Sequence, residues 1–289
     1  MRPVRRLLLA LATLGFSTAR LESQTGLLVV AHGATTRWND GVRQVVNQVR
    51  WDGPIAVAFL MGDEVESTGW NAAVTGLVRA GAKDIVVVPL LVSSHGGHYR
   101  EIRSYAGEIP ETAGGMGKHE HGAPALHPVP MRVTDALDAA PELGEALRER
   151  WRALSPADRH RPLMLVAHGP DSDEEARLWI SDLEESASVI GREGGIPIGI
   201  GLLRDDAPAE VRAAAVKRTR ELIDSLSRSR NDSVTVLPVL ISTGSIGTIT
   251  IPADLGGLPI RYTPTALAPL PQLAAWIERV ALAKRAATQ

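Results

Sequence analysis

Residues 26–33 (GLLVVAHG), 55–60 (IAVAFL) and 84–92 (DIVVVPLLV) are apolar runs without a polar residue at every second position. A strand with one wet face would alternate, so these runs predict strands buried on both faces, as in a parallel sheet covered by helices. The stretch up to Arg50 and residues 67–80 carry the three-and-four spacing of amphipathic helices. The order strand, helix, strand, helix, strand then returns, with PLMLVAHG at 162–169, a helix to about Gly191, IPIGIGLL at 196–203, a helix over 207–226 and VTVLPVLIST at 234–243. The two AHG segments and the two proline-bearing third strands fall at corresponding places, which indicates an internal duplication. The predicted fold class is therefore α/β, with two tandem domains, each a parallel sheet flanked by helices.

The connecting segments complete the outline. Residues 131–154 read as a strand tip followed by an amphipathic helix expected to close the first domain. Residues 106–130 are rich in Gly, Pro and His without apolar periodicity, and are read as a loop. The polar, proline-bearing ALSPADRHRP at 153–162 marks the boundary, giving domains at 24–155 and 156–289. The first 23 residues differ from the rest. MRPVRR is basic, LLLALATLGF is an apolar run, and STA ends in small residues at Ala19. That order predicts a signal peptide cleaved near Ala19 or a few residues later, with an uncleaved anchor as the alternative. Either reading places the folded part outside the cytoplasm, periplasmic or extracellular, with no stable membrane span after cleavage.

Composition narrows the chemistry. A formal net charge of -2 supplies no global field for nucleic acid or an anionic membrane. The absence of cysteine excludes disulfides, thiolate metal ligands, iron–sulfur clusters and thiol nucleophiles. Any transition metal must use His, carboxylate or backbone ligands. His32 stands at the end of the first strand, and His95 and His98 just past the third. Ligands in parallel sheets gather at the carboxyl ends of strands, so neighbouring first and third strands would bring these imidazoles to one crevice. Two or three neutral imidazoles there suit Co, Fe, Ni or Zn better than Mg or Ca, in an open, exchangeable site. His168 is the second-half counterpart of His32, but STGSIGTIT, which follows the third strand of that half, has no histidine. The metal pair is thus expected in the first half only.

The VVAHG strand end with Asn39 following, the segment VVVPLLVSSHGGHYREI and the duplicated arrangement together resemble the class II tetrapyrrole chelatases, the sirohydrochlorin cobaltochelatase and ferrochelatase group. The resemblance runs from about Gly26 to the end and implies tandem chelatase-like, flavodoxin-like domains. It implies insertion of a divalent metal, Co2+ or Fe2+ with Ni2+ or Zn2+ as alternatives, into a sirohydrochlorin-like tetrapyrrole. The metal would be a substrate and no organic cofactor is expected. By carry-over His32 and His98 hold the metal and take pyrrole protons, and Glu101 orients an imidazole or relays protons. The segment from Pro89 to His98 is one residue longer than the family's, which leaves His95 as an alternative second ligand. Met61 stands where many members carry Glu, with acids at Asp63 and Glu64 instead. Arg37, Arg100 or Arg103 are the candidates for the macrocycle's carboxylates, and Trp38 and Tyr99 for stacking on its ring. His119, His121 and His127 in the insertion read either as a metal-collecting tract or as a solvated loop. The expected assembly is a monomer with pseudo-dimeric halves. The competing reading is a noncatalytic exported binder of metal or tetrapyrrole on the same scaffold.

Overall fold

The computed structural model describes residues 24–110 and 126–287. Residues 1–23, on which the signal peptide is expected, the part of the insertion with His119 and His121, and the last two residues lie outside the described residues. Two four-stranded sheets carry the chain, ordered β2-β1-β3-β4 and β6-β5-β7-β8, and every described strand pair is parallel. The first contains β1 (Gln24–Ala31), β2 (Ile55–Phe59), β3 (Ala82–Pro89) and β4 (Met131–Val133). The second contains β5 (Leu163–Ala167), β6 (Ile198–Leu202), β7 (Val234–Val239) and β8 (Ile260–Tyr262). The duplication extends to register: Val30 pairs with Pro89 in one sheet and Val166 with Pro238 in the other.

In the first half the helices are α1 (Thr36–Val46), α2 (Val65–Thr68), α3 (Trp70–Arg79), α4 (Gly97–Tyr105) and α5 (Pro141–Arg152). The single helix expected over 67–80 is broken at Gly69, whose backbone is extended and where a Cβ would come within 2.5 Å of the Val65 carbonyl oxygen. After α6 (Pro156–Arg159) the second half supplies α7 (Asp173–Gly194), α8 (Ala209–Arg230), α9 (Ile251–Asp254) and α10 (Pro271–Ala286), with a π-helical turn at Ile246–Thr250 before α9.

Strand side chains alternate between two cores. Leu28, Val30, Ile85 and Val87 face α3 and α4 through Val74, Leu77 and Ile102, and Met164, Val166 and Val236 face α8 through Ile223 and Leu226. The opposite faces merge into one core, in which Leu27, Val29, Leu163 and Leu165 pack with Leu143, Leu147 and Trp151 of α5, Leu183 and Ile190 of α7, and Trp276 and Ile277 of α10.

Helix α5 does not simply close the first sheet as its place in the chain suggested. It packs on α7 and α10, while α10, which ends the chain, packs on β3 of the first sheet. Amphipathic spacing says that a helix buries one face and is silent about which sheet supplies the partner. Arg150 of α5 is buried and crosses the junction, donating to the Pro238 carbonyl at 2.7 Å and to the Thr265 carbonyl at 2.5 Å. Burial lowers its pKa to about 10, so the guanidinium remains charged at neutral pH. Truncation would strand two buried carbonyls and leave a cavity. Arg150→Ala should therefore lower unfolding stability by ~3 kcal/mol, read from urea denaturation, with Arg150→Lys losing less.

Candidate metal site

The carboxyl ends of β1, β3, β5 and β7 open on one cavity of about 310 Å³ that both halves line. His32, Ala34 and Trp38 enter from β1 and α1, and Leu90–Ser93 with Gly96–Tyr99 from the segment after β3. The second half contributes His168–Asp171, Trp179, Asp206 and residues 239–246 apart from Thr243. Most of the wall is apolar or aromatic, and no arginine or lysine lines it among the described residues.

His32 owes its position to the turn at Gly33, which adopts φ 82°. A Cβ there would lie 2.2 Å from the Met61 carbonyl oxygen, so only glycine permits this approach of the first and second strand ends. The next residues are braced by Asn39, fully buried, whose Oδ1 accepts the Ala34 N–H at 3.1 Å while its amide donates to Glu64 at 3.1 Å. Glu64 also pairs with Arg43, which holds its carboxyl below the usual range. Asn39 and Glu64, both noted in the sequence, thus join the loops after β1 and β2 behind the histidine.

The adjacency of β1 and β3 brings His98, in the first turn of α4, against His32: the rings meet edge to face with centroids 4.7 Å apart. His32 Nδ1 lies 2.6 Å from the Gly33 carbonyl oxygen, an arrangement that suits an Nδ1–H donor and leaves Nε2 with its lone pair. Burial first, and the neighbouring His98 second, lower the His32 pKa to about 4. His32 is therefore neutral throughout the range where metal would bind. His98 Nδ1 is 3.3 Å from Glu101 Oε2, one helical turn on, and Glu101 Oε1 accepts the Tyr105 hydroxyl at 2.7 Å. Glu101 is itself buried, so the imidazole has a fixed carboxylate behind it.

His95 does not join this pair. Its side chain turns toward the second half, with Nε2 3.5 Å from Asp182 Oδ2, so that of the two alternatives raised by the longer segment it is His98 that faces His32. The arginines proposed for the macrocycle are also elsewhere. Arg37 is exposed on α1, Arg100 is paired with Glu175 of α7, and Arg103 is paired with Glu108 at 3.0 Å. Nothing in the local sequence around Arg100 signalled that the second half would supply it a carboxylate. Trp38 and Tyr99 do line the cavity, the Tyr99 hydroxyl donating to Asp135 at 3.0 Å.

The cavity also takes in His168, which the sequence placed outside the metal pair, and Asp206, which it did not single out. His168 repeats the geometry of His32, with Gly169 at φ 82° and Nδ1 2.9 Å from the Gly169 carbonyl oxygen, but its Nε2 lies 3.2 Å from Asp206 Oδ2. The repeat marked His168 as the counterpart of His32. Only the facing of the two sheets puts both in one cavity.

Because the folded pKa of His32 lies below the unfolded value of about 6.5, the folded state resists protonation of this group. Its contribution to stability is complete above pH ~6.5 and is lost as pH falls toward ~4. Urea midpoints in EDTA should show wild type losing ~2–3 kcal/mol more than His32→Gln between pH 7 and pH 4. Parallel loss in the two proteins would refute the burial of a neutral imidazole here.

A family model described as CbiX matches residues 26–154. No curated protein sequence matches the chain significantly. Among solved structures, SirB from Bacillus subtilis with Fe3+ aligns with a TM-score of 0.63 at 16% identity, over 92% of this chain and 97% of that one. The sirohydrochlorin chelatase SirB from Bacillus subtilis subspecies spizizenii, in complex with cobalt, aligns with a TM-score of 0.56 at 16% identity, over 90% and 95% of the two chains. DR2241 from Deinococcus radiodurans, a multi-domain protein with structural similarity to chelatases, aligns with a TM-score of 0.54 at 16% identity, over 90% of this chain and 54% of that one. At this identity the likeness is one of fold, and it spans both halves. The stretch that matches the CbiX family model is the first half, which carries His32, His98 and Glu101.

Proposed function

We propose that the protein is a metal chelatase that inserts Co2+ or Fe2+ into a sirohydrochlorin-like tetrapyrrole. The observation that carries this reading is the His32–His98 pair, rings 4.7 Å apart, on the wall of a largely apolar cavity shared by the two halves. The match of residues 26–154 to the CbiX family model supports it, as does the fold shared with SirB, whose structures contain Fe3+ and cobalt.

The reaction exchanges two pyrrole protons for one M2+, so the site must present a metal and accept two protons. His32 serves as ligand. An imidazole with a pKa of about 4 is a weak base, but a neutral donor that binds a metal without having to lose a proton. His98, backed by Glu101, ligates the incoming metal and takes one proton as it is released. The second acceptor is His168 with Asp206, on the wall contributed by the second half. Trp38, Tyr99 and the aliphatic wall receive the macrocycle's face.

The test is anaerobic incubation with metal-free sirohydrochlorin and Co2+, followed by absorbance. Wild type should accelerate metallation above the protein-free rate, and His98→Ala should return it to that rate with Co2+ affinity reduced. His168→Ala should slow insertion by ~10²-fold or more while leaving Co2+ affinity within about twofold, the mark of a base and not a ligand. Equal rates with wild type, His98→Ala and buffer would remove the enzyme and leave a binding protein on a chelatase scaffold.

We also propose that the protein is exported, on the basic, apolar and small-residue order of residues 2–19. Mass spectrometry of protein from native cell envelopes should find a mature chain beginning after Ala19. Recovery of the chain with Met1 from the cytosol would refute export.

A further inference from the structure

We infer that His95, Asp138 and Asp182 form a divalent-cation site of their own, separate from the His32–His98 pair, that ties the two halves together. Ligand atoms of the three side chains all lie within 4.8 Å of one another, and the side chains are half-buried. His95 and Asp138 come from the first half, in the loops after β3 and β4, and Asp182 from the middle of α7 in the second. One imidazole and two carboxylates are a nitrogen–oxygen set suited to Zn2+, Co2+ or Mn2+, with positions left for water.

The three groups are held in place independently of any cation. Asp138 has φ 45°, a left-handed conformation that Asp tolerates better than most residues, and its N–H donates to the Val92 carbonyl at 3.0 Å. Its two carboxylate oxygens accept from Ser94, Oδ1 from the backbone N–H at 2.6 Å and Oδ2 from the hydroxyl at 2.7 Å. The backbone of His95 is pinned on both sides, its N–H donating to Ser93 Oγ at 3.1 Å and its carbonyl accepting the Trp179 indole N–H at 2.5 Å. Trp179 lies one turn before Asp182 on the same helix, so ring and carboxylate arrive together. Ser94 and Trp179 orient the ligands as outer partners do in metal sites.

The charges point the same way. Asp182 Oδ2 is buried and accepts no hydrogen bond among the described residues, its nearest cationic candidate being His95 Nε2 at 3.5 Å. Burial first, and Asp138 second, push the Asp182 carboxyl above its usual range, with Glu185 adding to the effect. Two carboxylates converging on one imidazole at a half-buried junction carry more negative charge than a single proton on His95 offsets. A divalent ion satisfies both.

This inference does not depend on the chelatase reading, and its test keeps the two apart. Zn2+ is titrated calorimetrically into the full chain carrying His32→Ala and His98→Ala, and the thermal midpoint is recorded with and without Zn2+. One equivalent should bind and the midpoint should rise. Adding Asp182→Asn to that background should abolish both effects, while the midpoint in EDTA should equal or exceed that of the parent, because a repulsive charge has been removed. A purely structural role for Asp182 would instead lower the midpoint in EDTA. No Zn2+ binding in the His32→Ala/His98→Ala chain, or binding that survives Asp182→Asn, would overturn the site.

Discussion

The interaction on which the rest depends is the packing of the two closing helices across the junction of the halves. Helix α5 packs on α7 and α10, and α10 packs on α5 and on β3 of the first sheet. The second half thereby covers apolar surface of the first sheet, and the merged core becomes continuous from Leu27 to Trp276. Burial on this scale is the main favourable term in association, and here it is intramolecular. It fixes the halves so that the carboxyl ends of both sheets open on one cavity. Arg150 adds direction to this non-directional contact, since its buried guanidinium requires the carbonyls of Pro238 and Thr265 in one arrangement.

Within that frame the repeats have diverged at a few positions. Both first turns use a glycine at φ 82° and a histidine Nδ1 close to the following glycine carbonyl. What comes next differs. In the first half the third strand leads to α4, whose first turn sets His98 against His32 and whose next turn sets Glu101 behind it. In the second half the same place is taken by residues 242–245 and a π-helical turn with no titratable side chain, and His168 faces Asp206 instead. One wall thus carries a pair of imidazoles and the other an imidazole with a carboxylate. A metal and a proton have different preferences between them.

The junction beyond the cavity is polar where the merged core is not. Arg100 meets Glu175, the Trp179 indole meets the His95 carbonyl, and Ser242 Oγ donates to the Trp38 carbonyl at 2.8 Å. These bonds cross between the halves at the rim of the cavity, close to His32 and His98. Direction at the rim and burial in the core are complementary. The core holds the halves together, and the rim sets the separation of their histidines.

The sequence by itself determined the α/β class, the duplication and the strand-end position of His32 and His98, because these follow from local rules. Continuous apolar runs require sheets covered on both faces, and a histidine after such a run stands at the sheet's carboxyl edge. The roles of Asn39 and Glu64, the choice between His95 and His98, and the destination of Arg100 were not local. Each depends on a partner distant in the chain: Asn39 on the loop after β2, His95 and Arg100 on α7, His168 on the facing of the two sheets. The helix at 141–152 shows the same limit, since its apolar stripe required a partner surface without naming one. Periodicity encodes which face of an element is buried. Which surface buries it was decided only when the whole chain packed, by complementarity between helices of different halves.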